Sequence, residues 1–176
     1  KYDKPHRSED DTVPPRDNLS VTAQAPGSDV TDVQIRADDA NPESWLGYNK
    51  GPRQLGYSPA DRITPENVDE LELAYSFQIR GQQLNPIVVP SGGDDPPVMY
   101  LPRGQGVRAV NARTGEEYWR FDYSPESGGG SRNRGVAVWD DKVYLGAADL
   151  RIVAIDRYTG EKRWTSRFVS ERQREE

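Results

Sequence analysis

The chain has 176 residues, a net charge of -6 and an isoelectric point near 5.0, a balance that disfavours a nucleic-acid groove or an anionic membrane surface. It has no cysteine, which excludes disulfides, thiolate-held zinc, iron–sulfur clusters and thiol nucleophiles, and its single histidine removes most histidine-based metal sites and triads. Leu, Ile, Val and Phe make up about 19% of the residues against 30% charged, at the border where part of a chain stays unpacked.

No apolar run approaches the roughly 18 residues of a membrane span. The opening KYDKPHRSEDD lacks the apolar centre of a signal peptide, which fits a cytoplasmic protein or a mature or trimmed form of an exported one. Arg outnumbers Lys by 18 to 5. With the acidic excess, that fits either a surface solvated in high salt or the codon bias of a GC-rich genome.

Residues 1–44 hold ten acids, five bases and only seven large apolar residues, with no stretch keeping a period of 2 or 3.6. Such a segment buries too little apolar surface to offset its ordering entropy, so it is expected to be a disordered acidic leader. His6 and the sequon Asn18-Leu19-Ser20 fall inside it and carry no functional weight.

From Trp45 onward apolar residues come in short bursts. Thr64–Leu71 reads as a short helix, with Thr64 as N-cap, Pro65 at the first turn and acids following. Leu71–Ile79 is apolar at alternate positions, the mark of a strand with one buried face. Further strands are expected at 86–89, 98–101, 107–110, 135–139, 142–145 and 151–155. Turn signals separate them at 91–95, 113–115, 140–141 and 158–160. Short strands at this spacing predict an antiparallel all-β protein.

An internal repeat sharpens that prediction. Ala109-Val110-Asn111-Ala112-Arg113-Thr114-Gly115-Glu116-Glu117-Tyr118-Trp119 matches the run from Ala154 to Trp164 at an offset of 45 residues. Repeats of 40–50 residues with about four short strands are propeller blades. Thr-Gly supplies a tight turn, Asn111 and Asp156 can bond the turn backbone, and Trp119 and Trp164 are expected to lie flat between blades.

The pattern Ala-x-Asp-x-x-Thr-Gly-x-x-x-Trp resembles the tryptophan-docking motif of the quinoprotein alcohol dehydrogenases, eight-bladed propellers that carry pyrroloquinoline quinone (PQQ). Asn111 stands where the motif has Asp; Asp156 keeps it. The run Trp45-Leu46-Gly47-Tyr48, Gly56-Tyr57-Ser58-Pro59, Asn67-Val68 and Leu71-x-Leu73-Ala74-Tyr75 is similar to the start of these enzymes. Asn133-Arg134-Gly135 resembles the opening of their second blade. Together the matches span residues 45–168, so 45–176 is identified as the N-terminal part of such a propeller, about two blades of eight.

The resemblance implies PQQ on the propeller axis beside Ca²⁺ or a lanthanide, with hydride passing from an alcohol or sugar to the quinone and an Asp as general base. Arg134 matches an arginine that contacts a PQQ carboxylate, and Gln54 stands where many members have a Glu near the cofactor. The vicinal Cys pair of many members is missing from Ser127–Arg132. The metal ligands, the catalytic Asp, the Trp lid and the remaining docking motifs would lie beyond Glu176. No catalytic or metal residue is therefore expected here, and the chain alone should neither bind PQQ tightly nor turn over substrate.

An electron acceptor, missing blades from more chain or a second chain, and an extracytoplasmic location are implied by the same resemblance. The competing expectation is a non-enzymatic propeller scaffold or assembly factor that binds partner proteins through its loops. A phosphate loop at Gly128–Gly130 is disfavoured because no Lys-Ser/Thr follows. Asp94-Asp95 and Asp140-Asp141 read as solvated turn residues.

Overall fold

The computed structural model describes residues 18–76, 78, 84–125 and 133–167. Nine strands form in two antiparallel sheets among them: β1 (Asn18–Val21), β2 (Ile87–Val89), β3 (Val98–Arg103), β4 (Gly106–Asn111), β5 (Glu117–Asp122), β6 (Ala137–Trp139), β7 (Lys142–Ala147), β8 (Arg151–Asp156) and β9 (Lys162–Arg167). The first sheet runs in the order β1-β5-β4-β3-β2 and the second β6-β7-β8-β9. A parallel bridge between Asn85 and Gly135, just ahead of β2 and β6, sets the two inner edges side by side. The sheets are two adjacent propeller blades.

The core lies within and between these blades. Val98, Tyr100, Val107, Ala109 and Trp119 of the first meet Val143, Leu145, Val153 and Ile155 of the second in one buried cluster. The repeat is visible in the ladders, each of which slips one residue at the corresponding place, after Ala109 and after Ala154. Strands β5 and β9 were not expected from the sequence. Lys162–Arg167 has a single large apolar side chain and is mostly exposed, so it is a strand because β8 pairs with it, not because of its own pattern.

The expectation of a disordered leader is corrected over residues 18–44. There the chain forms β1 along the outer edge of β5, then crosses to the second blade, where Val30 pairs with Asp140 in both directions at 3.0 and 2.7 Å. Ala25 and Val30 are buried, and a six-residue helix α1 (Asp32–Ala37) starts in a capping box between Thr31 and Gln34. This strap has no core of its own. It folds because blades already built offer unpaired strand edges and apolar recesses, a gain that composition cannot show. Residues 1–17, with His6, lie outside the described residues.

Two further expectations are altered. Thr64–Leu71 is no α-helix: Asn67 turns its side chain back onto the Thr64 amide at 2.7 Å, and only a 3₁₀ turn forms at Val68–Glu70. Residues 71–76 of the expected strand pair with no described strand, and Leu71 and Leu73 stand exposed; residues 77 and 79 lie outside the described set.

Candidate cofactor site and blade junction

The two repeat turns are built alike. Gly115 donates to the Asn111 carbonyl at 2.8 Å and Gly160 to the Asp156 carbonyl at 2.9 Å. Asn111 Oδ1 accepts from the amides of Arg113 and Thr114, and Asp156 Oδ1 from those of Tyr158 and Thr159. Asp156 has a further partner in Arg163, whose Nε lies 3.1 Å from Oδ2. Its burial raises the carboxyl pKa, but the Thr159 amide, Arg163 and the Tyr158 amide together outweigh this and hold it below the usual carboxylate value.

Both glycines sit at φ +76, a left-handed conformation that a side chain resists, and both are covered by a ring. A Cβ on Gly160 would lie 2.8 Å from Trp119, and one on Gly115 would lie 2.6 Å from Tyr75. The hydrogen bonds are equivalent too. Trp119 Nε1 donates to the Arg157 carbonyl at 3.1 Å, and the Tyr75 hydroxyl donates to the Ala112 carbonyl at 2.9 Å, the same position one repeat earlier. Tyr75 therefore does at the first turn what Trp119 does at the second, a role that sequence reasoning did not assign to it. Trp164 was expected to be covered like Trp119. Instead it is 42% exposed and leans on Tyr144 of its own blade, with ring centroids 5.9 Å apart.

The junction also buries Arg157. Its guanidinium stacks over Tyr158 at 4.9 Å, its Nε meets the Tyr100 hydroxyl at 3.1 Å, and Nη1 reaches the Ser28 carbonyl of the strap. Burial raises the pKa of Tyr100. Tyr158 is raised as well, by burial and by its bond to Asp29.

Of the two residues expected at a cofactor, Arg134 sits on a tripeptide fixed at the inner edges of both blades. Its carbonyl accepts from Asn85 at 2.9 Å, and Asn133 Oδ1 accepts from Gly135 at 3.0 Å. The Arg134 side chain is exposed and has no hydrogen bond or ion pair to a described residue. Beside it, Asn133 is buried with its Nδ2 unpartnered. Sequence reasoning missed Asn133, although it belongs to the quoted motif.

Gln54 is also exposed, and no hydrogen bond joins it to Arg134. It ends a tight loop in which Asn49, Lys50 and Gly51 are all left-handed, as is Gln54 itself at φ +51. That loop is gripped by a buried ion pair. Asp38 accepts from the amides of Leu46 and Gly51 at 2.9 and 2.8 Å and from the Ser44 hydroxyl. It faces Lys50 Nζ at 3.8 Å, with both side chains fully buried. Lys50 also donates to the carbonyls of Asn41 and Ser44, and Arg53 pairs with Asp39 at 2.9 Å.

Comparison with known proteins agrees with this architecture. The family model described as "PQQ: Glucose/ethanol/alcohol dehydrogenase, beta-propeller domain" matches residues 45–168. The dehydrogenase subunit of a quinone-dependent alcohol dehydrogenase from Acetobacter aceti is 34% identical over 82% of this chain and 20% of its own length. The solved quinohemoprotein alcohol dehydrogenase ADHIIG from Pseudomonas putida HK5 superposes with a TM-score of 0.68 at 34% identity, over 81% of this chain and 22% of that one. A europium-containing methanol dehydrogenase gives 0.64 at 25% identity, over 79% and 25%. The chain spans about a fifth of the length of the curated relatives it matches.

Proposed function

The chain belongs to the PQQ-dependent glucose/ethanol/alcohol dehydrogenase β-propeller family, and we propose that it is the N-terminal part of an enzyme that oxidises an alcohol or a sugar by hydride transfer to PQQ. Arg134 is the observation that carries this reading. The reading is supported by its exposed guanidinium, which has no partner among the described residues and, on a tripeptide locked at the inner edges of two blades, is a donor fork able to take a carboxylate. The orphaned Asn133 Nδ2 beside it is a second donor lacking an acceptor. Both suit an oxygen-rich, carboxylate-bearing ligand such as PQQ.

When bound, PQQ supplies the acceptor for the substrate's hydride. In this reading the chain's own residues would orient it: Arg134 would take a carboxylate in a paired hydrogen bond, and Gln54 would offer an uncharged amide. Neither moves a proton. In this reading the general base and the ligands of Ca²⁺ or a lanthanide are supplied by the rest of the enzyme. On the same reading the isolated chain is expected to bind PQQ weakly at most and to turn over no substrate.

The remaining blades, contributed by further chain or by a second one, cover the open face around Trp164, and an electron acceptor reoxidises the cofactor. The setting we infer from membership of this family is extracytoplasmic.

The test is titration of the complete propeller with PQQ in the presence of Ca²⁺ or a lanthanide, followed by alcohol-dependent reduction of a dye. Micromolar or tighter binding is expected, weakened about tenfold or more by Arg134→Ala through loss of a charge-assisted bond. Absence of any PQQ binding would overturn the reading and favour the scaffold.

A further inference from the structure

We propose that Asp38 and Lys50 are positioning residues for Gln54, holding the loop that presents it to the cofactor; this rests on the reading that Gln54 faces PQQ. The loop has features that packing alone does not require. Four left-handed residues fall within six positions, and three of the four are not glycine. Such backbone persists only where surrounding structure over-determines it, and it gathers at binding sites.

Asp38 and Lys50 supply that over-determination. Gly51 N–H is held by Asp38 at 2.8 Å, and the Lys50 ammonium is anchored on the Asn41 and Ser44 carbonyls and faces Asp38. Gln54 N–H in turn closes on the Gly51 carbonyl at 3.2 Å, while Gly56 N–H closes the loop on Asn49 at 2.8 Å. Asp38 thus reaches Gln54 through one residue, Gly51. A second tether, Arg53 to Asp39, acts on the neighbouring residue from the exposed side.

A fully buried Lys–Asp pair is a costly way to fix a loop, since both charges must leave water. What it supplies is one backbone geometry, and the side chain delivered at the end of that geometry is Gln54. The pair joins the strap to the first segment of the matched propeller region, so residues that composition alone would leave unfolded control a side chain of the proposed site.

The test is a double-mutant cycle on PQQ affinity in the complete propeller, read by quenching of tryptophan fluorescence. Gln54→Ala is expected to raise the dissociation constant roughly tenfold, the worth of one hydrogen bond, and Lys50→Met by a similar factor. If Lys50 acts through Gln54, the double variant is no weaker than either single one. A roughly hundredfold loss in the double variant would mean independent effects and would overturn the proposal. Should Lys50→Met fail to fold, Arg53→Ala, at an exposed side chain, takes its place in the same cycle with the same non-additivity expected. Wild-type protein that binds no PQQ would refute the proposed function. Wild-type binding with an unaffected Gln54→Ala variant would refute only the positioning role.

Discussion

In the first blade Trp119 is fully buried; in the second its counterpart Trp164 is 42% exposed. Their own repeats share the ladder slip and the φ of the turn glycine. The difference comes from the neighbour. Trp119 has the Thr159-Gly160 turn of the next blade to lie on and the Arg157 carbonyl to bond, whereas no described unit stands beyond Trp164. A docking residue is thus made by its own repeat and buried by the following one. The first turn shows that the receiving half does not depend on tryptophan, because Tyr75 fills it with a ring and a hydroxyl.

The largest expected effect comes from breaking that asymmetry directly. Trp119→Ala removes a fully buried ring and should cost about 3–5 kcal/mol. Trp164→Ala in this chain should cost under about 1 kcal/mol, as exposed positions do. Thermal or denaturant unfolding of the two variants side by side reads the difference. In the complete propeller, where a third blade would cover Trp164, the two costs should converge.

Next in size is Gly160→Ala. The left-handed backbone alone costs about 1–2 kcal/mol with a side chain, and the added carbon must also push Trp119 aside. Gly115→Ala meets the same strain but presses on Tyr75. If docking on the two turns is equivalent, unfolding curves should place both losses within about 1 kcal/mol of each other.

The smallest effect sharpens the comparison at Asn111 and Asp156. The lowered pKa of Asp156 means that the unfolded chain binds its proton more readily than the folded one. Its stabilisation is therefore complete above the ordinary carboxylate range near pH 4 and is lost as pH falls through the depressed folded-state value. Asp156→Asn, which copies the first repeat, should cost about 1 kcal/mol or less at pH 7, because Arg163 is half exposed. The cost should shrink as pH falls below the ordinary carboxylate range and through that depressed value, measured as unfolding free energy against pH.

The blades were legible in the sequence because their information is local and repeated. Thr-Gly at a 45-residue offset, with Asn or Asp three and four residues before it, marks both turns, and the apolar bursts mark the inner strands. Strand β9 was not legible, since Lys-Arg-Trp-Thr-Ser-Arg gains its conformation from β8. The strap was misread for the related reason that its order is borrowed from edges built far away in sequence. Leu71–Ile79 failed in the opposite direction. Its alternation is real, but a strand needs a partner, and none of the described residues provides one for 71–76.

At the proposed site, Arg134 is singled out by its motif. Asn133 and the Asp38–Lys50 pair are not, because a lone Asn, Asp or Lys carries no signal until the fold buries it. Tyr75 carries a signature in the sequence, but nothing local to it marks its ring, whose partner Gly115 is 40 residues away.

The two repeats are adjacent blades joined by Trp119 lying on the second turn. Hydroxyl-radical footprinting of this chain, read residue by residue by mass spectrometry, tests this junction most directly. Trp119 should be protected at least about tenfold relative to Trp164, as full burial against partial exposure requires. Equal labelling of the two tryptophans would contradict the docked junction and, with it, the placement of Arg134 at the inner edges of two packed blades.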